Sequence, residues 1–255
     1  MKHGYLFVAA ALTLAIVAPA DAQSPEERAT ARETVKKRGD AVVTVLATVK
    51  LRVNVGGRDQ PSEIATQTNA TVLDGTGLTV LSLSSLQPDE AYQRQLSRSV
   101  PPGTRTDVTS EATDIRIRAA DGRELPARLV LRDQDLDLAF VRPTEVPTVP
   151  LPFVDAVSAR PSLLDPVVVL QRTNESTGWV MAASLGSVQV VLDKPRTYYL
   201  ISFASMGGPG LGSPIFDMAG RFLGVILLRD TGMRGSTAPG LLPADDIRDV
   251  AKQAR

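Results

Sequence analysis

The chain has 255 residues, of which 43% are hydrophobic, and carries 28 basic and 28 acidic side chains. This length accommodates one large all-β domain or two small domains, and the balanced charge excludes a global electrostatic attraction to nucleic acid or anionic membranes. Cysteine is absent, so disulfides and thiolate zinc sites are excluded. Because phosphate-binding, dinucleotide-binding and metal-ligand motifs are also missing, we expect no cofactor, no metal and no nucleic-acid partner.

The N-terminus has the pattern of a secretory signal peptide. Lys2 precedes an apolar run at 5–17, and residues 20–22 supply a small-x-small cleavage pattern, so we predict a signal peptide at 1–22 and a mature protein at 23–255. About 13 apolar residues are fewer than the ~20 that span a bilayer, so no stable membrane span is expected after signal cleavage. A cysteine-free exported domain suits the periplasm or exterior of a bacterial cell.

The single histidine of the chain, His3, lies inside this predicted signal. The processed protein would therefore contain no imidazole, which excludes Ser-His-Asp and Cys-His catalysis of any geometry. A Ser-Lys dyad with Ser213 or Ser84 as nucleophile and Lys194 as base is the remaining alternative. The spacing does not support it, because Lys194 lies in a predicted surface turn.

The first predicted element is a helix that begins at Pro25 and extends toward Lys37. Ser24 is its N-cap, proline occupies its first position, and the glutamate three residues after the cap completes a capping box. Residues 41–55 are rich in valine and threonine and predict a strand, which residues 56–61 end as a loop.

Residues 70–81 predict a hairpin with a glycine-containing turn. The polar stretch 87–112 predicts a long loop or insertion. After it, strands are predicted at 114–118 and 125–130 on either side of an Asp-Gly turn at 121–122.

Asp137 lies in segment 136–140, where every second residue is apolar. One interpretation is that the segment is a strand and that Asp137 lies on the face opposite the apolar side chains. A proline-rich linker follows. Short strands with Gly, Pro and Asp turns then favour a barrel or sandwich; they are predicted at 165–171, 179–183, 188–192 and 198–203.

The loop at 207–217, followed by glycines in the next turn and strand, resembles the nucleophile loop of the HtrA/Deg branch of trypsin-like serine peptidases. Aligned on Gly212 and Pro214, the resemblance puts Leu211 at the nucleophile position, and leucine has no group that attacks a carbonyl. It also puts Pro209 at an oxyanion-donor position, and proline has no N–H.

A second alignment makes Ser213 the nucleophile, but it shifts the strands that follow out of alignment with the corresponding strands of the family. The segment ending at 81–84 resembles the one that carries the general base, which places Ser84 at that position. Residues 132–141 resemble the segment of the catalytic aspartate, which places Asp137 there. Without a histidine we expect Asp137 to have a structural role, accepting a hydrogen bond from Ser84 or from a backbone N–H.

The resemblance implies an all-β, trypsin-like double antiparallel β-barrel with short N-terminal and C-terminal helices. It implies a first barrel at about 40–142, a linker at about 143–152, a second barrel at about 153–240 and a C-terminal helix at about 243–254. Since these elements occupy the 255 residues, we expect no PDZ domain of the kind that many HtrA proteins carry.

We therefore expect an exported, catalytically inactive pseudopeptidase that binds a peptide or protein partner in the former substrate cleft as an added strand. One alternative is a serine-type endopeptidase with atypical or residual activity. The other is a purely structural envelope domain whose cleft is filled.

Overall fold

The computed structural model of the chain describes residues 24–101, 103–156, 159–194, 196–203, 210–230 and 237–254. The predicted signal peptide and Pro209 lie outside these residues. Within them, strands form two closed antiparallel barrels of six strands each, which confirms the predicted all-β double barrel. No helix of the described part is long and apolar enough to cross a membrane.

The N-terminal helix α1 spans Pro25–Arg38 and begins as its capping residues predict. The Glu27 amide donates to Ser24 Oγ at 3.0 Å, and the Ser24 amide donates to Glu27 Oε2 at 2.8 Å. These two bonds satisfy amides that the first helical turn leaves without partners. Near the other end, Arg38 Nε donates to the carbonyl oxygen of Gly220 at 3.3 Å, so the helix lies against the second barrel.

The first barrel has the strand order β1-β2-β3-β6-β5-β4. Its strands are β1 Val42–Val55, β2 Arg58–Val72, β3 Thr79–Ser82, β4 Thr106–Arg118, β5 Glu124–Asp133 and β6 Leu138–Pro143. The predicted loop at 56–61 is wrong beyond its first two residues. Gly56 and Gly57 alone make the turn, with φ of 57° and 85°, because a two-residue turn with positive φ matches the twist of paired strands.

The long loop predicted at 87–112 is also wrong. This stretch contains the helix α2, Asp89–Ser99, and the first half of β4. Gln93 Nε2 donates to Thr106 Oγ1 at 2.8 Å, and the Ser110 hydroxyl donates to the Asp89 carboxylate. An isolated polar helix of this length is only marginally stable in water. The contacts with β4 therefore stabilise α2, which the polar composition of the segment did not indicate.

The second barrel has the strand order β10-β11-β12-β9-β8-β7. Its elements are β7 Pro166–Arg172, β8 Met181–Leu192, β9 Tyr198–Phe203, β10 Pro214–Asp217, β11 Phe222–Asp230, β12 Thr237–Pro243 and the terminal helix α3 Ala244–Ala251. The strands predicted separately at 179–183 and 188–192 belong to one strand, β8, apart from residues 179 and 180, which precede it. Its pairing with β9 shifts register between Val188 and Val190, and such a bulge bends one long strand without ending it.

The two barrels pack through a shared hydrophobic cluster. Phe140 of the first barrel and Phe216 of the second are both fully buried in it. Beside the cluster, the Arg172 amide donates to Asn69 Oδ1 at 2.6 Å, and Asn69 Nδ2 donates to the Arg172 carbonyl at 3.2 Å. Burial of apolar surface and reciprocal hydrogen bonds thus hold the barrels together and define the cleft between them.

Candidate functional site

Three elements meet in the cleft between the barrels: the end of β3, the turn before β6, and the middle of β11. Asp137 lies in that turn, with a left-handed backbone (φ 57°) and a side chain that is only 7% exposed. Because β6 begins at the next residue, the interpretation of Asp137 as the opposite face of an alternating strand is wrong. The turn directs its carboxylate toward the second barrel instead.

The Asp137 carboxylate accepts four hydrogen bonds. Oδ1 accepts from the Ser84 amide at 2.8 Å and from Ser84 Oγ at 2.6 Å. Oδ2 accepts from Ser82 Oγ at 2.6 Å and from the Leu228 amide of β11 at 2.8 Å. The expected bond from Ser84 is therefore present, and two hydroxyls and two backbone amides together stabilise the buried carboxylate.

Ser84 lies in a short 3-10 turn, Leu83–Ser85, directly after β3. Its hydroxyl proton is directed to Asp137, and the side chain is half-buried at the floor of the cleft. A hydroxyl has a pKa far above neutral, so the Ser84 side chain is not a general base at pH 7. The geometry is that of a structural anchor between the barrels.

The loop before β10 brings Leu211 to the opposite side of the cleft. Leu211 is half-buried and borders the same cavity as Ser84. The preceding residue, Gly210, is held by its amide, which donates to Gln171 Oε1 at 2.9 Å. The predicted positions Ser84, Asp137 and Leu211 are thus brought together.

Ser213, the alternative nucleophile, is 0% exposed. Its hydroxyl oxygen has no hydrogen-bond partner among the described residues. A fully buried hydroxyl is out of reach of a polypeptide carbonyl in the cleft, so the geometry does not support the second alignment.

Two cavities flank Ser84. One, of about 250 Å³, lies on the Asp137 side and is rich in charged side chains: Asp89, Glu90, Arg94, Asp135, Asp137 and Arg229. The other, of about 390 Å³, lies on the Leu211 side and has no charged side chain in its lining; Ile64, Tyr92 and Leu211 are its large apolar members. The described cleft therefore contains one charged cavity and one neutral cavity.

Arg229 of β11 closes one end of the charged cavity. Its Nη1 donates to the Asp135 carbonyl at 2.8 Å, and its Cζ lies 3.7 Å from the centroid of the Tyr198 ring. Burial raises the pKa of Tyr198 to about 12, although the nearby Arg229 charge acts in the opposite direction. This contact between cation and ring holds the guanidinium in place.

Sequence reasoning missed two partners of Asp137. Ser82 has a weak signal, since it precedes Ser84 by two residues and so shares its face of an extended chain. Leu228 has no sequence signal, because it donates through its backbone amide, a group that every residue except proline has. Among the described residues, no group of three or more His, Cys, Asp and Glu side chains could hold a metal ion.

Comparison with known proteins agrees with this geometry. The family model for the trypsin-like peptidase domain matches residues 68–225, more than half of the chain, and its match includes Ser84, Asp137 and Leu211. No curated protein matches the chain. With two closed six-stranded barrels and a cleft between them, the chain belongs to the family of trypsin-like peptidase domains.

Proposed function

We propose that the protein is an exported pseudopeptidase of the HtrA/Deg type, which binds a peptide or protein partner in the former substrate cleft without cleaving it. The observation that carries this proposal is the set of hydrogen bonds on Asp137. In the family, the catalytic aspartate orients a histidine; here the equivalent carboxylate is occupied by Ser82, Ser84 and the Leu228 amide.

The other side of the cleft supports the same proposal. Leu211, at the nucleophile position, presents an aliphatic side chain that cannot form an acyl intermediate. The chain's one histidine, His3, belongs to the predicted signal. Nucleophile and base are therefore both missing from the positions that carry the family's chemistry.

The cleft keeps features that bind an extended chain. The Leu228 amide points away from β12, whose paired residue Pro239 has no N–H to exchange. Because the amide and carbonyl of a strand residue point to the same side, the Leu228 carbonyl faces the cleft as well. The amide is held by Asp137, so the carbonyl is the group that accepts a hydrogen bond from an extended chain. With a cavity of about 250 Å³ beside it and another of about 390 Å³ beside Leu211, this edge favours binding over the interpretation of a filled, purely structural cleft.

The test measures cleavage and binding together on the mature protein, residues 23–255. Unfolded casein and a mixed fluorogenic peptide library report hydrolysis, and fluorescence anisotropy with the same peptides reports binding. We expect peptide binding with no turnover above the buffer rate. Leu211→Glu, which buries a charge against the neutral cavity, should abolish binding, whereas the matched variant Leu211→Met should retain it.

The serine endopeptidase is the competing proposal, supported by the family membership. Ser213→Ala decides between the two, because Ser213 is the alternative nucleophile. Turnover by the wild type that this variant abolishes would overturn both the pseudopeptidase and the assignment of Leu211. If the protein neither binds nor cleaves the peptides, both proposals fall and the purely structural role in the cell envelope remains.

Export is part of the proposal and has its own test. We expect expression of the full chain in a bacterial host to yield a periplasmic or secreted product whose N-terminus is near Gln23. A product that retains residues 1–22 and stays in the cytoplasm would contradict export while leaving peptide binding untouched.

A further inference from the structure

Strand β2 has a long edge without a neighbour. It pairs with β1 along its whole length, but with β3 only at Thr71 and Val72. Among the described residues, no strand pairs with the remaining edge, and residues 58–65 are all exposed. Unpaired edges of this kind accept an additional strand unless something blocks them.

The turn of the hairpin determines which amides face outward. Val55 and Arg58 close the two-residue Gly56-Gly57 turn, and such a closing pair exchanges both hydrogen bonds. Since bonded and non-bonded pairs alternate, the odd-numbered residues of β2 point their amide and carbonyl away from β1. Pro61, which has no N–H, falls in this outward set, as the alternation requires.

The open part of the edge has two ends. Pro61 ends it on one side, because it has no amide to donate. On the other side the loop of the second barrel covers Asn69: a β-carbon placed on Gly212 would lie 2.0 Å from the Asn69 carbonyl oxygen. Between these limits Glu63, Ala65 and Gln67 present outward amides and carbonyls, which is enough for an added strand of about five residues.

One face of this edge borders the neutral cavity. Ile64 and Thr66 line it together with Tyr92 and Leu211, and Ile64 is 37% exposed. An added strand would direct alternate side chains to this face, where apolar groups gain contact area and charged groups would lose hydration.

The opposite face has an incomplete row of charges. Glu63 lies directly across from Lys50, and Lys50 lies across from Glu111 on β4. Two carboxylates thus flank one ammonium group. A Lys or Arg on an added strand, opposite Glu63, would complete an alternating row, and opposite charges on neighbouring strands are stabilising.

We propose that the edge of β2 from Glu63 to Gln67 binds an extended peptide segment as an added antiparallel strand. The segment has apolar side chains toward Ile64 and Thr66 and a Lys or Arg opposite Glu63. This inference rests on the proposed function, since it names the class of peptide and the part of the cleft that holds it.

The test uses a dye-labelled probe of sequence Thr-Val-Thr-Val-Lys, blocked at both ends, and its partner with Glu in place of Lys. We expect the Lys probe to bind the wild type about 5- to 10-fold more tightly, and Glu63→Lys to reverse that preference. Ala65→Pro removes an outward amide in the way that Pro61 already does, so it should fold normally and weaken binding at least about tenfold. Ala65→Ser retains the amide and should bind as the wild type does.

Each failure has a distinct meaning. Unchanged probe binding by Ala65→Pro, with loss in Leu211→Glu, would overturn the β2 edge while peptide binding in the cleft stands. Binding of library peptides but not of the probe would overturn the ligand class alone, and no binding of any peptide would overturn the proposed function too. If sedimentation shows a dimer that Ala65→Pro converts to a monomer, the occupant is a second copy of the chain and the peptide assignment falls.

Discussion

Gly212 packs directly against the backbone of Asn69 across the interface of the two barrels. A β-carbon at residue 212 would lie 2.0 Å from the Asn69 carbonyl oxygen, far inside van der Waals contact, and its φ of 81° lies in the region that favours glycine. Next to this contact, Thr71 Oγ1 donates to the Gly212 carbonyl at 3.2 Å. The loop that carries Leu211 therefore has its position set by the first barrel, and glycine is what permits the approach.

We expect Gly212→Ala to lower the free energy of unfolding by about 3 kcal/mol, because the methyl group clashes with backbone as well as imposing strain. Gly220→Ala is the matched control: its φ is 74°, but its β-carbon would meet nothing closer than Thr34 Oγ1 at 3.6 Å. It should cost only about 1 kcal/mol. Urea unfolding measures both, and equal losses would show that the close approach is unimportant.

The Asp137 carboxylate is expected to be a major determinant of stability. Asp137→Ala leaves the hydroxyls of Ser82 and Ser84 and the amides of Ser84 and Leu228 without their acceptor. We expect a loss of about 3 kcal/mol or more in urea unfolding, since unsatisfied buried donors are costly. Ser84→Ala removes one of the four bonds and should cost about 1 kcal/mol; a loss as large as that of Asp137→Ala would contradict this account.

Under the proposed function, introducing a histidine and a serine at the proposed base and nucleophile positions should not create peptidase activity. In Ser84→His/Leu211→Ser, a histidine and a serine occupy the positions that we propose for the base and the nucleophile. Pro209, at the proposed oxyanion-donor position, still has no N–H. We expect casein hydrolysis near background for this double variant. Adding Pro209→Gly should raise the rate about 10²-fold or more. Full activity of the double variant would show that this donor is dispensable.

Tyr198 makes stability depend on pH in the alkaline range. Burial raises its pKa from the ordinary value of 10.0 to about 12, so the unfolded chain loses the phenolic proton first. The stabilisation is fully present below pH 10 and is lost as the pH rises toward 12. A difference of two pKa units corresponds to a loss of about 3 kcal/mol in the free energy of unfolding. Urea unfolding as a function of pH measures this fall.

Tyr198→Phe is the control for this titration. The Tyr198 hydroxyl has no hydrogen-bond partner among the described residues, so the variant should cost less than about 1 kcal/mol at neutral pH. Its alkaline fall should be smaller, with a remainder from Tyr199, whose pKa burial also raises. An unchanged fall in Tyr198→Phe would assign the titration to other groups.

Local signals predicted much of the secondary structure. The capping residues of α1 act within one turn, and the residues of the 70–81 hairpin specify their own turn, so both predictions hold without knowledge of the rest of the fold. The prediction of a loop at 87–112 was wrong because the helix α2 depends on contacts of Asp89 and Gln93 with β4. Its composition is polar throughout, which is also typical of a loop.

The sequence by itself determined which chemical groups the protein has: no cysteine, one histidine near its start, and leucine and proline in the loop before β10. These follow from residue identity alone. Only the tertiary structure decided where the groups act. The four hydrogen bonds of Asp137, the open edge of β2 and the contact of Gly212 with Asn69 join residues far apart in the chain, and such relationships exist only once both barrels have packed.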